Sequence, residues 1–245
     1  MNSAKQIPYE SWYFTLRDAV AKLRANPRFL EGADHWDDVG PTQFAYLKKE
    51  GLLPSHHLLD VACGSFRSGR FFIEYLDPGH YCGIDQSEYA IRMGIRHVLR
   101  PMHLTIKHPR LYRAALSTES LRPVQLFGGT RFDFIWAHAL YDHIDHDTIQ
   151  QSLRDFADVL VPGGRLFATI FLNSHGEDFQ EPIRWARNGD VEKGVTTYPD
   201  KEYWHHTVGF FQKATAAVPS LDFLGCFEDY RHPLGLSMLK FRRRS

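Results

Sequence analysis

From residue 57 onward, short and nearly unbroken apolar runs alternate with longer stretches of helical spacing. "HLLDVA" (57–62), "HYCGID" (80–85), "FDFIWAHAL" (132–140) and "RLFATIFL" (165–172) read as strands buried on both faces, with "RLYRAAL" (110–116) a weaker one. Between them, "RFFIEYL" (70–76), "YAIRMGIRHVL" (89–99) and "IQQSLRDFADVL" (149–160) predict helices, the last closed by "VPGG" (161–164). A helix at 208–218 then precedes two closing strands, "LDFLGCFED" and "LSMLKF". Their "YRHPLG" connection is too short for a crossover, so the two must pair antiparallel. This β-α alternation defines an α/β fold with a largely parallel sheet covered by helices on both faces.

Two regions stand outside the alternation. Residues 1–53 form an expected N-terminal helical cap. One helix is predicted at 9–25, with Trp12, Leu16, Val20 and Leu23 on one face; another at 41–50 has Pro41 in its first turn and Gly51 just past its end. Residues 173–206 show no apolar period and exceed an ordinary connection, yet carry Trp185, Tyr198, Tyr203 and Trp204. That aromatic content favours a substrate lid over a bare linker. The whole chain, 1–245, is expected to be one domain.

Composition narrows the partners. Lys+Arg and Asp+Glu balance at 29 each, which argues against binding nucleic-acid phosphates. The basic end "FRRRS" reads as a solvated terminus. Cys63, Cys82 and Cys226 show no CxxC spacing and read as reduced structural thiols. No signal peptide or membrane-spanning stretch is seen, so a cytoplasmic protein without membrane contact is expected.

The chemistry concentrates at two strand ends. "LLDVACGSFRSG" (58–69) is a strand, a turn and the start of a helix, an arrangement that presents ligands at a sheet's carboxyl edge. Gly64 permits close backbone approach to a ligand. Phe66 stands where a dinucleotide loop would want glycine, and crowds a pyrophosphate there. Asp60 adds negative charge suited to a cationic ligand. At the end of the second strand, Asp85 lies about 20 residues on from Gly64, where an acid can accept both hydroxyls of a ribose. It could equally cap the helix that follows.

Together these stretches resemble the class I S-adenosylmethionine-dependent methyltransferases of the small-molecule type. "LLDVACGSFRSG" matches the family's first motif, "YCGIDQS" its second, "FDFIWAHALYDHI" the fourth-strand motif and "LVPGGRLFATIF" the approach to strand five. The resemblance covers residues 36–172. It implies a Rossmann-like doubly wound sheet of seven strands, mostly parallel with one antiparallel strand, and S-adenosyl-L-methionine as methyl donor. Asp60, Ala62, Cys63 and Gly64 would run along its methionine part, with Asp60 or a neighbour near the ammonium. Asp85 would hold the ribose, and Gln86 would lie against the adenine. Trp136, Ala137 and His138 would line the methyl-transfer site, and Gly40 with its helix would close over the methionine end. Ala62 and Phe66 depart from the family's usual glycines. Near strand three, Ser117, Thr118 and Glu119 stand in place of a clear acid for the adenine amine.

"AHALYDHIDHD" (137–147) places His138, His143 and His146 among Asp142, Asp145 and Asp147 at the end of the fourth strand. An alcohol acceptor must lose a proton, and histidine titrates near neutrality. His143 is the first choice of base, with Asp142 or another acid to orient it and His138 nearby; a structural or cofactor-side role for His143 is the alternative. A divalent metal is conceivable but not favoured: Asp142, His143 and His146 could share one helical face, yet the cluster is not the catechol-type metal motif. The Asn/Asp-Pro-Pro-Tyr/Phe motif of adenine and glutamine methyltransferases is absent. The expected partner is therefore a small hydroxylated acceptor, a sugar or secondary metabolite, methylated at oxygen. N- or C-methylation by the same fold, a nicotinamide dehydrogenase and a non-catalytic cofactor-binding subunit are the competing functions.

Overall fold

The computed structural model describes residues 5–6, 36–173, 183–184, 202–230 and 236–245. The helix expected at 9–25 and most of the expected lid lie outside these residues. The chain divides into two compact units, Met1–Ala115 and Leu116–Ser245.

In the first unit, α1 (Trp36–Lys49) leads to β1 (Leu58–Val61), α2 (Gly69–Tyr75), β2 (Tyr81–Asp85), α3 (Glu88–Gly94) and β3 (Arg110–Arg113). The three strands are parallel, with β2 between β1 and β3; Asp60 pairs with Gly83 and Ile84 with Tyr112. Lys5–Gln6 adds an antiparallel edge to β3. Every residue of β1 and the first four of β2 are buried, which explains their unbroken apolar character. α1 begins five residues before Pro41, so the proline lies inside the helix and not in its first turn. Asp37 and Asp38 complement the dipole of the earlier start, and the Thr42 hydroxyl donates to the Asp38 carbonyl at 2.9 Å. α3 starts at the Ser87 cap, whose Oγ accepts the Ala90 N–H at 3.1 Å, and runs on into one π-helical segment, Ile95–Leu99.

The second unit contains β4 (Phe132–Ala137), α4 (His146–Val159), β5 (Leu160–Leu172), α5 (Val208–Ala216), β6 (Leu221–Phe227) and β7 (Ser237–Arg243). β4 and β5 are parallel; β7 pairs antiparallel with both β5 and β6. The fold is thus α/β with a mostly parallel sheet and one antiparallel principal strand, as expected. The "VPGG" stretch does not merely close α4. It lies within β5 as an irregularity in the pairing with β4, because Gly163 is left-handed (φ 77°) and Pro162 cannot donate. Nor is the basic end merely solvated. The Arg243 guanidinium donates to the carbonyls of Ala157 (2.8 Å) and Leu160 (2.5 Å), capping α4, while Arg244 pairs with Asp222 at 2.7 Å.

His205–His206 pairs in parallel with Phe171–Leu172 of β5, and Ile183–Arg184 pairs antiparallel with Glu202–Tyr203. The carboxyl end of the expected lid is therefore anchored to the second unit's sheet.

Candidate active site

The loop after β1 is built on alternating left-handed residues: Ala62 (φ 59°), Gly64 (53°) and Phe66 (69°). For a β-carbon-bearing residue this conformation is unfavourable, and burial offsets it at Phe66, whose ring is fully enclosed. Gly94 makes the room. A Cβ at Gly94 would lie 2.5 Å from the Phe66 ring, and one at Gly69 would lie 3.2 Å from Phe66 Cβ. The Phe66 ring therefore points into the interior and does not crowd a phosphate, contrary to expectation.

The loop is poorly suited to pyrophosphate for another reason. Three of its N–H groups are already engaged: Cys63 donates to the Ile84 carbonyl (3.0 Å), Gly64 to Asp85 Oδ2 (2.9 Å) and Phe66 to the Cys63 carbonyl (3.0 Å). An anion nest requires such donors to be open.

Asp85 closes this arrangement. Its Oδ2 accepts from Gly64 and its Oδ1 from the Ser87 N–H at 2.7 Å, so the two backbone donors fix the carboxylate in place. Ser87 rather than Asp85 is the helix cap. Burial raises the Asp85 pKa, and these two hydrogen bonds oppose the rise. Since a carboxylate offers about four lone-pair sites, acceptor capacity remains for hydroxyl donors. Gln86, next along, is exposed.

Asp60 sits deeper. It is buried, and its Oδ2 accepts the Tyr81 hydroxyl at 2.7 Å. Gly69 lets that hydroxyl in, since a Cβ there would stand 2.6 Å from Tyr81 Oη. Burial first, then the Asp60 charge, pushes the Tyr81 pKa up, so the phenol stays a donor. Cys63 and Cys82 are buried thiols outside any disulfide, Cys82 pushed up to about 12 by burial. Ala62 is the exposed residue of the loop. Tyr81 was not singled out from the sequence; an aromatic at the start of β2, in a strand that sets Gly83 beside Asp60, was the available signal.

In the second unit, Trp136 and Ala137 are buried at the end of β4 and His138 is half-buried. The His138 ring stacks on Trp136 (centroids 5.7 Å apart) and meets the Tyr230 ring edge-on at 5.8 Å. Ala139 is left-handed (φ 49°), its N–H bound to Thr169 Oγ1 at 2.7 Å. A 3-10 turn follows at Tyr141–His143.

Here the structure departs from expectation. His143 is exposed, while Asp142 is buried and gives its carboxyl to the Phe171 N–H at 2.7 Å, so it does not orient the imidazole. Burial pushes the Asp142 pKa up to about 8. Nor do Asp142, His143 and His146 share a helical face. The turn ends at an extended Ile144, Asp145 caps α4 by accepting the Thr148 N–H at 2.7 Å, and His146 opens that helix stacked on Phe210 at 4.1 Å. No group of three or more His, Cys, Asp or Glu able to hold a metal occurs among the described residues. The turn also receives residues 204–206: the Trp204 N–H donates to the Asp142 carbonyl (2.8 Å) and His206 Nε2 lies 2.9 Å from the Tyr141 carbonyl.

The family described as "Methyltransferase domain" matches residues 59–166, from β1 into β5. Solved structures share the fold at low identity. Magnesium protoporphyrin IX methyltransferase from Synechocystis, with bound S-adenosylhomocysteine, is 14% identical with TM-score 0.57, covering 93% of each chain. An S-adenosylmethionine-dependent methyltransferase from Clostridium acetobutylicum is 15% identical with TM-score 0.58, over 94% of this chain and 100% of that one. A S-adenosylmethionine-bound amino pentose methyltransferase from Micromonospora echinaspora is 15% identical with TM-score 0.56, over 96% and 99%.

Two of these solved structures hold S-adenosylhomocysteine or S-adenosylmethionine. The residues present fit such a ligand. Asp85 is a preorganised acceptor, and the engaged N–H groups of the loop after β1 suit an adenosyl group without phosphates. Among the described residues no helix is long and apolar enough to cross a membrane.

Proposed function

We propose that this chain is an S-adenosylmethionine-dependent methyltransferase that transfers a methyl group to oxygen of a small hydroxylated molecule, a sugar or secondary metabolite. The bound cofactor supplies an electrophilic methyl group on a sulfonium. Asp85 accepts the ribose hydroxyls, Gln86 borders the adenine, and Ala62, Cys63 and Gly64 line the methionine part. The Asp60 charge lies beneath them, favourable to a cationic ligand. Trp136 and Ala137 shape the transfer site, and His138 takes the acceptor's proton.

The observation that carries the acceptor assignment is the setting of His138, half-buried between Trp136 and Tyr230 immediately after β4. An imidazole is the side-chain type suited to taking a proton from an alcohol acceptor. His143, exposed on the adjoining turn, is the second candidate, with Asp142 holding the turn's shape. Small-molecule acceptors named for the Synechocystis and Micromonospora proteins support the substrate class. Nucleic acid is not expected as a partner of a chain with balanced charge.

Labelled methyl donor and a panel of paired alcohols and amines test this directly. Oxygen transfer predicts product from the alcohols, loss of turnover in His138→Ala with unchanged S-adenosylhomocysteine affinity, and a rate that falls as the base is protonated. Methylation at nitrogen predicts turnover of the amines with both His138→Ala and His143→Ala active.

A further inference from the structure

α1 buries one stripe: Trp36, Val39, Gly40, Gln43, Tyr46 and Leu47. Gln43 lies at the centre of this stripe, where the 3.6-residue period calls for an apolar side chain. It is 1% exposed, and its buried amide nitrogen Nε2 has no hydrogen-bond partner among the described residues. A buried amide without a partner is unfavourable, so its retention needs an acceptor from elsewhere.

The location suggests which acceptor. One turn before Gln43 on the same face, Gly40 touches the β1–α2 junction so closely that a Cβ there would stand 2.5 Å from the Arg67 carbonyl and 2.9 Å from the Phe71 ring. Residues three apart on a helix are surface neighbours, so Gln43 lies one turn from the Arg67 carbonyl, at the junction that directly follows the Gly64–Phe66 loop. That loop brings Asp60 as an anion but has the N–H groups of Cys63, Gly64 and Phe66 already engaged. Arg70, on the same junction, is occupied by the rings of Trp36 and Phe71 and lies 3.6 Å from Asp37. A zwitterionic methionine end needs a negative partner for its ammonium and an N–H donor for its carboxylate.

We infer that Gln43 donates to the methionine carboxylate of the methyl donor. The inference rests on the S-adenosylmethionine assignment and adds the residue that reads the carboxylate.

Calorimetry on the full chain tests it, with S-adenosylhomocysteine and its decarboxylated analogue as probes. The wild type should bind the first about tenfold or more tightly than the second. Gln43→Met, apolar and similar in length, should erase that difference by weakening S-adenosylhomocysteine alone, while the melting temperature of the ligand-free protein holds or rises. Gln43→Glu should weaken S-adenosylhomocysteine further by repulsion and leave the analogue unchanged. Unaltered S-adenosylhomocysteine affinity in Gln43→Met, or equal weakening of both probes, would overturn the inference. Failure of the wild type to bind either probe would overturn the cofactor assignment itself.

Discussion

Asp85 and Asp142 look alike in the sequence. Each lies at or just beyond the end of an apolar strand, shortly before a helix cap. Asp85 is half-buried and receives two backbone N–H groups, which fix its orientation and oppose the effect of burial on its pKa. Asp142 is enclosed and receives one, from Phe171, so its pKa is pushed up to about 8 and it is largely protonated at neutral pH. The first carboxylate is prepared for a ligand; the second secures a turn. Backbone donors and exposure, not residue type or proximity to a strand end, separate the two roles.

The sharpest way to break this contrast is to truncate each acid. Asp85→Ala should lower S-adenosylhomocysteine affinity by about a hundredfold, the loss of two hydrogen bonds to a charged group; Asp142→Asn should leave it unchanged. Equal affinities for Asp85→Ala and wild type, measured by calorimetry, would show the ribose site misplaced.

Phe66→Gly relieves the left-handed backbone at that position, but empties the space beside Gly94. Denaturant unfolding should show a loss of about 3 kcal/mol, since ring deletion outweighs backbone relief. A more stable variant would mean the ring contributes little.

Asp142→Asn should also flatten the pH dependence of stability. Folding raises this carboxyl's pKa from 3.8 to about 8. Its contribution is therefore fully present below pH 4 and is lost as pH rises toward 8, where the folded protein must carry a buried charge. Asparagine keeps the acceptor for the Phe171 N–H without that charge. Thermal melts should show a gain over wild type that grows from near zero at pH 4 to several kcal/mol at pH 8; the same increment at both would exclude Asp142 as the cause. The smallest effect belongs to Ser87→Ala, which removes the α3 cap but leaves the Ser87 N–H on Asp85, and should lower stability by about 1 kcal/mol with little change in cofactor affinity.

Much of the fold was legible because it rests on local pattern. β1, β2 and β4 are continuous apolar runs whose burial on both faces forces that composition, and the short link before β7 required antiparallel pairing. What escaped depends on contacts distant in sequence. Pro41 marks a helix start by local rules, yet the helix begins at Trp36. Phe66 belongs to the core only because Gly94 makes room, and nothing near either residue announces the other. Asp142 sits in a polar run that reads as exposed, whereas the Phe171 amide draws it inward. At the candidate site, the spacing of Gly64 and Asp85 was readable because one hydrogen bond joins them across adjacent strands. Tyr81 and Gln43 were not, since each is a buried polar group whose setting no local pattern marks.

The most direct test of the central claim, that the Gly64–Asp85 loop receives a phosphate-free adenosyl cofactor, is calorimetric titration of the wild-type chain with S-adenosylhomocysteine and, separately, with NAD. The engaged loop amides and the preorganised Asp85 predict binding of S-adenosylhomocysteine and none of NAD. Binding of NAD without S-adenosylhomocysteine would contradict the account.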